Sequence, residues 1–283
     1  MSKVAIITDS TAYIPQELVE KHKITVLPLV LIWDEQTMED GVDILPTEFY
    51  TRLETSETIP TTSQVTVVHF KNAYERLLQE GYDILNILIS DQLSGTIDSA
   101  VQALEFFPDE NIEIVNSKTI AMALGFIVLE AARAAANGAS LAECKSIAED
   151  AKNRVGVVFA VDTLKFLHKG GRIGGATRFL GTALKLKPIL EITGGRVEAI
   201  ERVRTKRKAH HRLVELLAAR TNDSGSVKLA TLHANAIDDA RALLDDAKSY
   251  LGNVDDAIYS EVSPVVGTHA GPGTVGLAYI VNE

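Results

Sequence analysis

Residues 84–97 read Ile84-Leu85-Asn86-Ile87-Leu88-Ile89-Ser90-Asp91-Gln92-Leu93-Ser94-Gly95-Thr96-Ile97, and their order decides the fold. The opening run is almost wholly apolar, the pattern of a strand buried on both faces. Hydroxyls, an acid and a glycine follow, and then Ile97, Ala100, Val101 and Leu104 recur at helical spacing. Upstream, Val67, Val68, Phe70, Ala73, Tyr74, Leu77 and Leu78 predict an amphipathic helix. Downstream, residues 112–116 read as a strand and an Ala-rich helix is expected near 119–137. Further buried strands are read at 4–7, 25–31 and 155–161. Strand and helix alternate, so crossover βαβ units and a mostly parallel sheet follow.

After Val161 the texture changes. A glycine-rich stretch, Gly170-Gly171-Arg172-Ile173-Gly174-Gly175, precedes two runs at 189–193 and 196–202 that Gly194-Gly195 joins, which reads as a β-hairpin. Helices are expected at 206–220 and 237–251, with strands at 227–234, 256–260 and 275–281. The expectation is an α/β lobe over residues 1–161 and a smaller α+β lobe over 162–283.

With 283 residues, 46% of them hydrophobic, the chain can bury a full core. A formal net charge of -10 opposes contact with nucleic-acid phosphates or an anionic membrane surface. The single cysteine, Cys144, excludes an internal disulfide framework or a Cys-rich zinc cluster and fits a reducing compartment. The opening apolar run is too short for a signal peptide, and no apolar stretch approaches the roughly 20 residues of a membrane helix. A cytoplasmic protein with no stable membrane insertion and no nucleic-acid partner is expected.

Three polar clusters follow or interrupt apolar runs: Thr8-Asp9-Ser10-Thr11, Thr61-Thr62-Ser63-Gln64, and residues 90–96. The second is read as a loop of hydroxyls before a helix. Hydroxyls at such junctions commonly cap helices. The same hydroxyls, with exposed N–H groups and the positive end of a helix, also favour a small anion. Near the other end, His269 falls in a stretch rich in glycine and proline, residues 263–273, read as a rigid loop that holds a side chain for function. Gly271-Pro272-Gly273-Thr274-Val275-Gly276 matches a dinucleotide fingerprint in form only, because too little chain remains for the helix, strand and acid it needs. No phosphate-binding loop, nucleophile elbow or zinc histidine pair is present, and no metal site is expected. His210 and His211 lie in a basic run with Arg202, Arg204, Lys206, Arg207, Lys208 and Arg212, either a solvated helix start or a dock for an acidic partner or phosphate. Ser94, His269 and Asp9 also allow a serine-dependent acyl hydrolase, since triads are defined by geometry and not by chain order.

Taken in order, Ile7-Thr8-Asp9-Ser10-Thr11-Ala12, Thr62-Ser63-Gln64, Leu93-Ser94-Gly95-Thr96, Phe166-Leu167-His168-Lys169-Gly170-Gly171-Arg172-Ile173, Lys187-Pro188-Ile189-Leu190 and Gly267-Thr268-His269-Ala270-Gly271-Pro272-Gly273 resemble the DegV family of fatty-acid-binding proteins. These pieces span nearly the whole chain. The resemblance implies a Rossmann-like N-terminal lobe, an α+β C-terminal lobe and a long-chain fatty acid of the palmitate or oleate class between them, as ligand, with no cofactor. It implies a non-catalytic carrier in lipid transport or fatty acid metabolism, whose carboxylate site is Thr62, Ser94 and His269. Asp9, Ser10, Ser63, Gly95, Thr96, Gly267 and Thr268 would support that head-group loop. Some members present the acid to a separate fatty acid kinase, and Arg172 and Arg202 would then face the phosphate or the partner. A small-molecule phosphotransferase resembling dihydroxyacetone kinases and a purely structural partner protein are the remaining alternatives.

Three departures stand out. Asp91-Gln92 replaces a serine often found before L-S-G-T, Val65 stands where proline is usual, and Asn116-Ser117 stands where Asp-Ser is common. Asp91 matters most, because a second carboxylate near the ligand's own would repel it. Either Asp91 points away or the head-group preference differs. The three proposed donors are otherwise apt, since they bind a carboxylate without burying a permanent positive charge.

Overall fold

The computed structural model describes residues 3–181, 186–222 and 225–282. The first half contains β1 (Lys3–Asp9), α1 (Gln16–His22), β2 (Thr25–Leu27), β3 (Val30–Trp33), β4 (Gln36–Glu39), α2 (Pro46–Thr55) and β5 (Thr61–Ser63). It continues through α3 (Val67–Gln79), β6 (Tyr82–Leu88), α4 (Thr96–Leu104), β7 (Ile112–Asn116), α5 (Ala121–Ala136) and α6 (Leu141–Ala151). β2, β1, β6 and β7 lie side by side in that order, all parallel, as the strand and helix alternation requires. β4, β3 and β5 form a small antiparallel sheet.

The second half holds β8 (Val155–Ala160), α7 (Lys165–Lys169), β9 (Lys187–Thr193), β10 (Arg196–Val203), α8 (Lys206–Thr221) and β11 (Ser226–His233). It ends with α9 (Ile237–Leu251), β12 (Val254–Ile258), α10 (Pro264–Ala270) and β13 (Val275–Asn282). The strand order is β10-β9-β8-β13-β11-β12, antiparallel except for β11 with β12. β9 and β10 are the expected hairpin, and Gly194 and Gly195 at its tip have φ of 60° and 84°, the left-handed pair that matches the twist of the flanking strands.

α5 organises the whole. Eleven of its sixteen residues are buried. One side packs on β1 and β6 and the other on β8, β11 and β13, so a single helix bridges the two large sheets. α3 and α4 pack together and lie against strands of the parallel sheet, and α8 and α9 cover the outer face of the six-stranded one over a separate apolar core.

Three expectations change. Residues 25–31 do not make one strand: Pro28, which lacks an N–H for a ladder, separates β2 in the parallel sheet from β3 in the small one. Thr61–Ser63 is not a loop but β5, with Thr62 opposite Leu31 of β3. The Gly/Pro-rich stretch around His269 is helical, with Pro264 at the first position of α10, where its missing N–H costs nothing. In addition β8, read from sequence as the last strand of the first lobe, is bonded between β9 and β13. An apolar run reveals that a strand is buried but not which sheet takes it.

Candidate functional site

A cavity lies beyond the carboxyl ends of the parallel strands, where side chains of an open α/β sheet converge. Thr11 after β1, Ile89 and Leu93 after β6, and Ile120 after β7 form one side. Val157 and Phe159 of β8, Ile192 of β9, Val197 of β10 and Leu232 of β11 form the other. It holds about 870 Å³ of space free of protein atoms, mouth included, and its wall is mostly apolar. Ligand sites are commonly of this kind, an apolar wall with a few convergent polar groups.

The polar groups gather at one part of the wall. Thr62 on β5 and His269 in the last turn of α10 come from residues far apart in sequence, yet Thr62 Oγ1 and His269 Nε2 are 2.8 Å apart. Ser94, in the turn before α4, also lines the cavity, with its hydroxyl 2.9 Å from that of Thr96. Ser63 and Gln64 complete this edge. Gly95 lies against Gln64, where a Cβ would stand 3.2 Å from the amide group, so the β5 loop and the α4 turn close on each other.

α10 is held along its length. A Cβ on Gly267 would stand 2.5 Å from the Tyr50 hydroxyl and 2.9 Å from Phe49, so only glycine lets α2 approach. At the other end the His269 ring rests on Gly170, with Nδ1 buried and without a hydrogen-bond partner. Burial, with the Arg172 cation nearby, holds the imidazole down to about 4. The ring is therefore neutral near pH 7.

This depression has a measurable consequence. The unfolded chain takes up a proton near the ordinary pKa of 6.5, and the folded chain resists it until about 4. Acidification through that window favours the unfolded chain by about 3 kcal/mol in all. Urea titrations across this range should show wild type losing about that much relative to His269→Asn; a gap independent of pH would refute it.

Not every expected residue reaches the cavity. Asp9 is buried beneath it, with Oδ1 accepting from Thr11 N at 3.1 Å and Thr11 Oγ1 at 2.5 Å and Oδ2 accepting from Ile89 N at 2.8 Å. Ser10 donates to Asp40. Thr96 is fully buried, and Thr268 donates back to Pro264 O within α10. Gly95, Thr96, Gly267 and Thr268 do not line the cavity. The Ser94, His269 and Asp9 relay is not assembled, since His269 Nδ1 has no partner and both Asp9 oxygens are engaged elsewhere.

Asp91 points away. It pairs with Lys118 at 2.8 Å on the surface, and that bond with one from Asn116 holds its carboxyl down to about 2. Arg172, by contrast, lines the cavity, with Nε donating to Leu93 O at 3.0 Å and Nη1 to Gly170 O at 2.8 Å. The polar edge thus carries one permanent cation besides its neutral donors. Arg202 lies outside the cavity wall, its guanidinium 4.6 Å from the centre of the Phe179 ring.

Part of the basic run at the start of α8 is paired with acids. Lys206 pairs with Asp239 at 3.1 Å, Arg212 with Glu201 at 2.6 Å and with Glu215, and His211 with Glu215 at 3.2 Å. Sequence reasoning missed two residues around the site. Tyr13 lines the cavity from a left-handed backbone position, φ 54°, that its sequence context does not announce. Asp40, between Glu39 and Gly41 in the chain, gives no hint that it is 2% exposed. Among the described residues no cluster of three or more His, Cys, Asp or Glu could hold a metal ion, and no helix is long and apolar enough to cross a membrane.

Comparison with known proteins places this arrangement. The model of the DegV family, described as an uncharacterised protein family, matches residues 3–282. A DegV domain-containing protein of Streptomyces coelicolor is 39% identical over 275 residues, covering 97% of each chain. Among solved structures, a DegV family protein from Thermus thermophilus, described for its fatty acid binding, superposes with a TM-score of 0.94 at 33% identity, covering 99% of this chain and 100% of that one. DegV of Bacillus subtilis, described as a fatty acid binding protein, does so with a TM-score of 0.89 at 32% identity, covering 100% of both chains.

Proposed function

The chain belongs to the DegV family, and from that premise we propose that it binds one long-chain fatty acid, of the palmitate or oleate class, without chemically altering it. The observation that carries this reading is the 2.8 Å contact of Thr62 and His269 in the wall of an apolar cavity that Ser94 and Arg172 share. The carboxylate lies at that polar edge and the tail runs along Val157, Phe159, Ile192 and Leu232. With the imidazole proton on Nε2, His269 donates to Thr62 and leaves the Thr62 hydroxyl hydrogen for the ligand. Arg172 adds charge attraction beside these neutral donors.

Most of the affinity comes from the tail, at about 0.8 kcal/mol per buried methylene, or on the order of 10 kcal/mol for a long chain before association costs. The head group fixes orientation. A carrier fits better than a hydrolase, because no base is bonded to Ser94 and the Asp9 carboxylate is turned elsewhere. Such a carrier serves transport or fatty acid metabolism by handing its acid to an enzyme, a fatty acid kinase being the recipient for which Arg172 and Arg202 are the contact residues. Protein purified from cells should contain fatty acid, detected by mass spectrometry of a denaturing extract. An extract free of lipid, together with no uptake of added palmitate or oleate, would refute the proposal.

A further inference from the structure

Asp40 follows β4, outside every motif that points to the site. Its backbone N–H donates to Leu29 O at 2.9 Å, and Leu29 N donates to Ser10 Oγ at 3.1 Å. The side chain closes this knot, with Oδ2 accepting from Ser10 Oγ at 2.7 Å and Oδ1 accepting from Val265 N at 3.1 Å. The Val265 bond reaches the first turn of α10. That helix has proline at its first position and no hydrogen bond from the side chain of its own N-cap, Ser263. An orphan N–H of the first turn is thus satisfied by a carboxylate from another part of the chain. α10 has seven residues, and His269, the next to last, lies about one turn beyond Val265. A shift at the Asp40 end is delivered to the imidazole with little room to relax.

We propose that Asp40 is a positioning residue that seats α10 and so aligns His269 on Thr62, an inference that rests on the head-group reading above. The ionisable groups acting on Asp40 are Asp9 behind Ser10, Tyr13 in the turn after β1, and Tyr50 of α2. None of these is a cation, and burial pushes the Asp40 carboxyl up to about 6. Its hydrogen bonds to Ser10 and Val265, beside a further one from the Ser263 side chain, and not its charge, are what the fold uses. Asparagine can reproduce both, its amide oxygen accepting from Val265 and its amide nitrogen donating to Ser10, whereas alanine can reproduce neither.

The test compares palmitate with hexadecanol as competitors of a fluorescent fatty acid, at neutral pH, in wild type, Asp40→Ala and Asp40→Asn. Wild type prefers the acid. Asp40→Ala should lose about tenfold of that preference while its affinity for the alcohol changes little, and Asp40→Asn should restore it. Equal losses for both ligands in Asp40→Ala would mark general damage and overturn the inference, as would an unchanged preference or no rescue by asparagine. Exchange of the Val265 amide with deuterium is read in parallel, faster in Asp40→Ala and normal in Asp40→Asn. If wild type does not prefer the acid, the head-group reading fails, and the amide exchange still decides whether Asp40 seats α10.

Discussion

Replacing Thr62 and Ser94 with alanine in one protein is expected to weaken palmitate binding by about a hundredfold. A hydroxyl lost opposite a buried charged group costs about 1–3 kcal/mol, and about 1.4 kcal/mol is a factor of ten. The two hydroxyls approach the acid from different elements, Thr62 from β5 and Ser94 from the turn before α4. Thr62→Ala also strips His269 Nε2 of its partner at 2.8 Å, so the imidazole loses orientation along with the hydroxyl. Hexadecanol, which has the tail but not the charge, should bind the variant nearly as well as wild type. Competition of both ligands against a fluorescent fatty acid measures the two effects together. If palmitate affinity is unchanged, the head-group assignment is wrong even where fatty-acid binding stands.

Gly170→Ala is the second large effect. Gly170 has φ of −79°, which any residue adopts, so the change adds no backbone strain. A Cβ there would lie 2.0 Å from His269 Nδ1 and 2.7 Å from Cε1, well inside contact distance. The ring is confined, since Thr62 holds its far nitrogen and α10 its backbone, so it must leave its seat or displace the α7 end. Overpacking of this kind costs about 1–3 kcal/mol. Palmitate affinity should fall about as far as in His269→Ala, and the double variant should be little worse than either, because both remove one interaction. Additive losses would show that Gly170 acts apart from His269.

Much of this was legible in the sequence, for reasons visible in particular residues. The parallel sheet follows from residues 84–97, because a buried strand, a polar turn and a helix leave few ways to continue. The hairpin followed from Gly194-Gly195 between apolar runs. Thr62, Ser63, Ser94 and His269 line one cavity. What escaped is what depends on distant packing. Nothing local marks Thr61–Ser63 as a strand: its three hydroxyl residues form β5 because β3 offers an edge. Pro264–Ala270 is contacted by Asp40, far upstream, which accepts from Val265 N, and by Tyr50, against which Gly267 closes. Nothing near Asp91 in the sequence announces its partner Lys118, in the turn after β7, which holds the carboxylate at the surface.

The shared helix α5 gives the cargo a mechanical meaning. Both large sheets lean on it, and the cavity opens beside it, at Ile120 and Ala121, where the same seam is left incompletely filled by protein. A fatty-acid tail bound in that seam, as proposed, would add apolar contact between the halves, so binding and cohesion would draw on one free energy. On the proposed reading, release of the acid would remove part of the free energy that holds the two halves together.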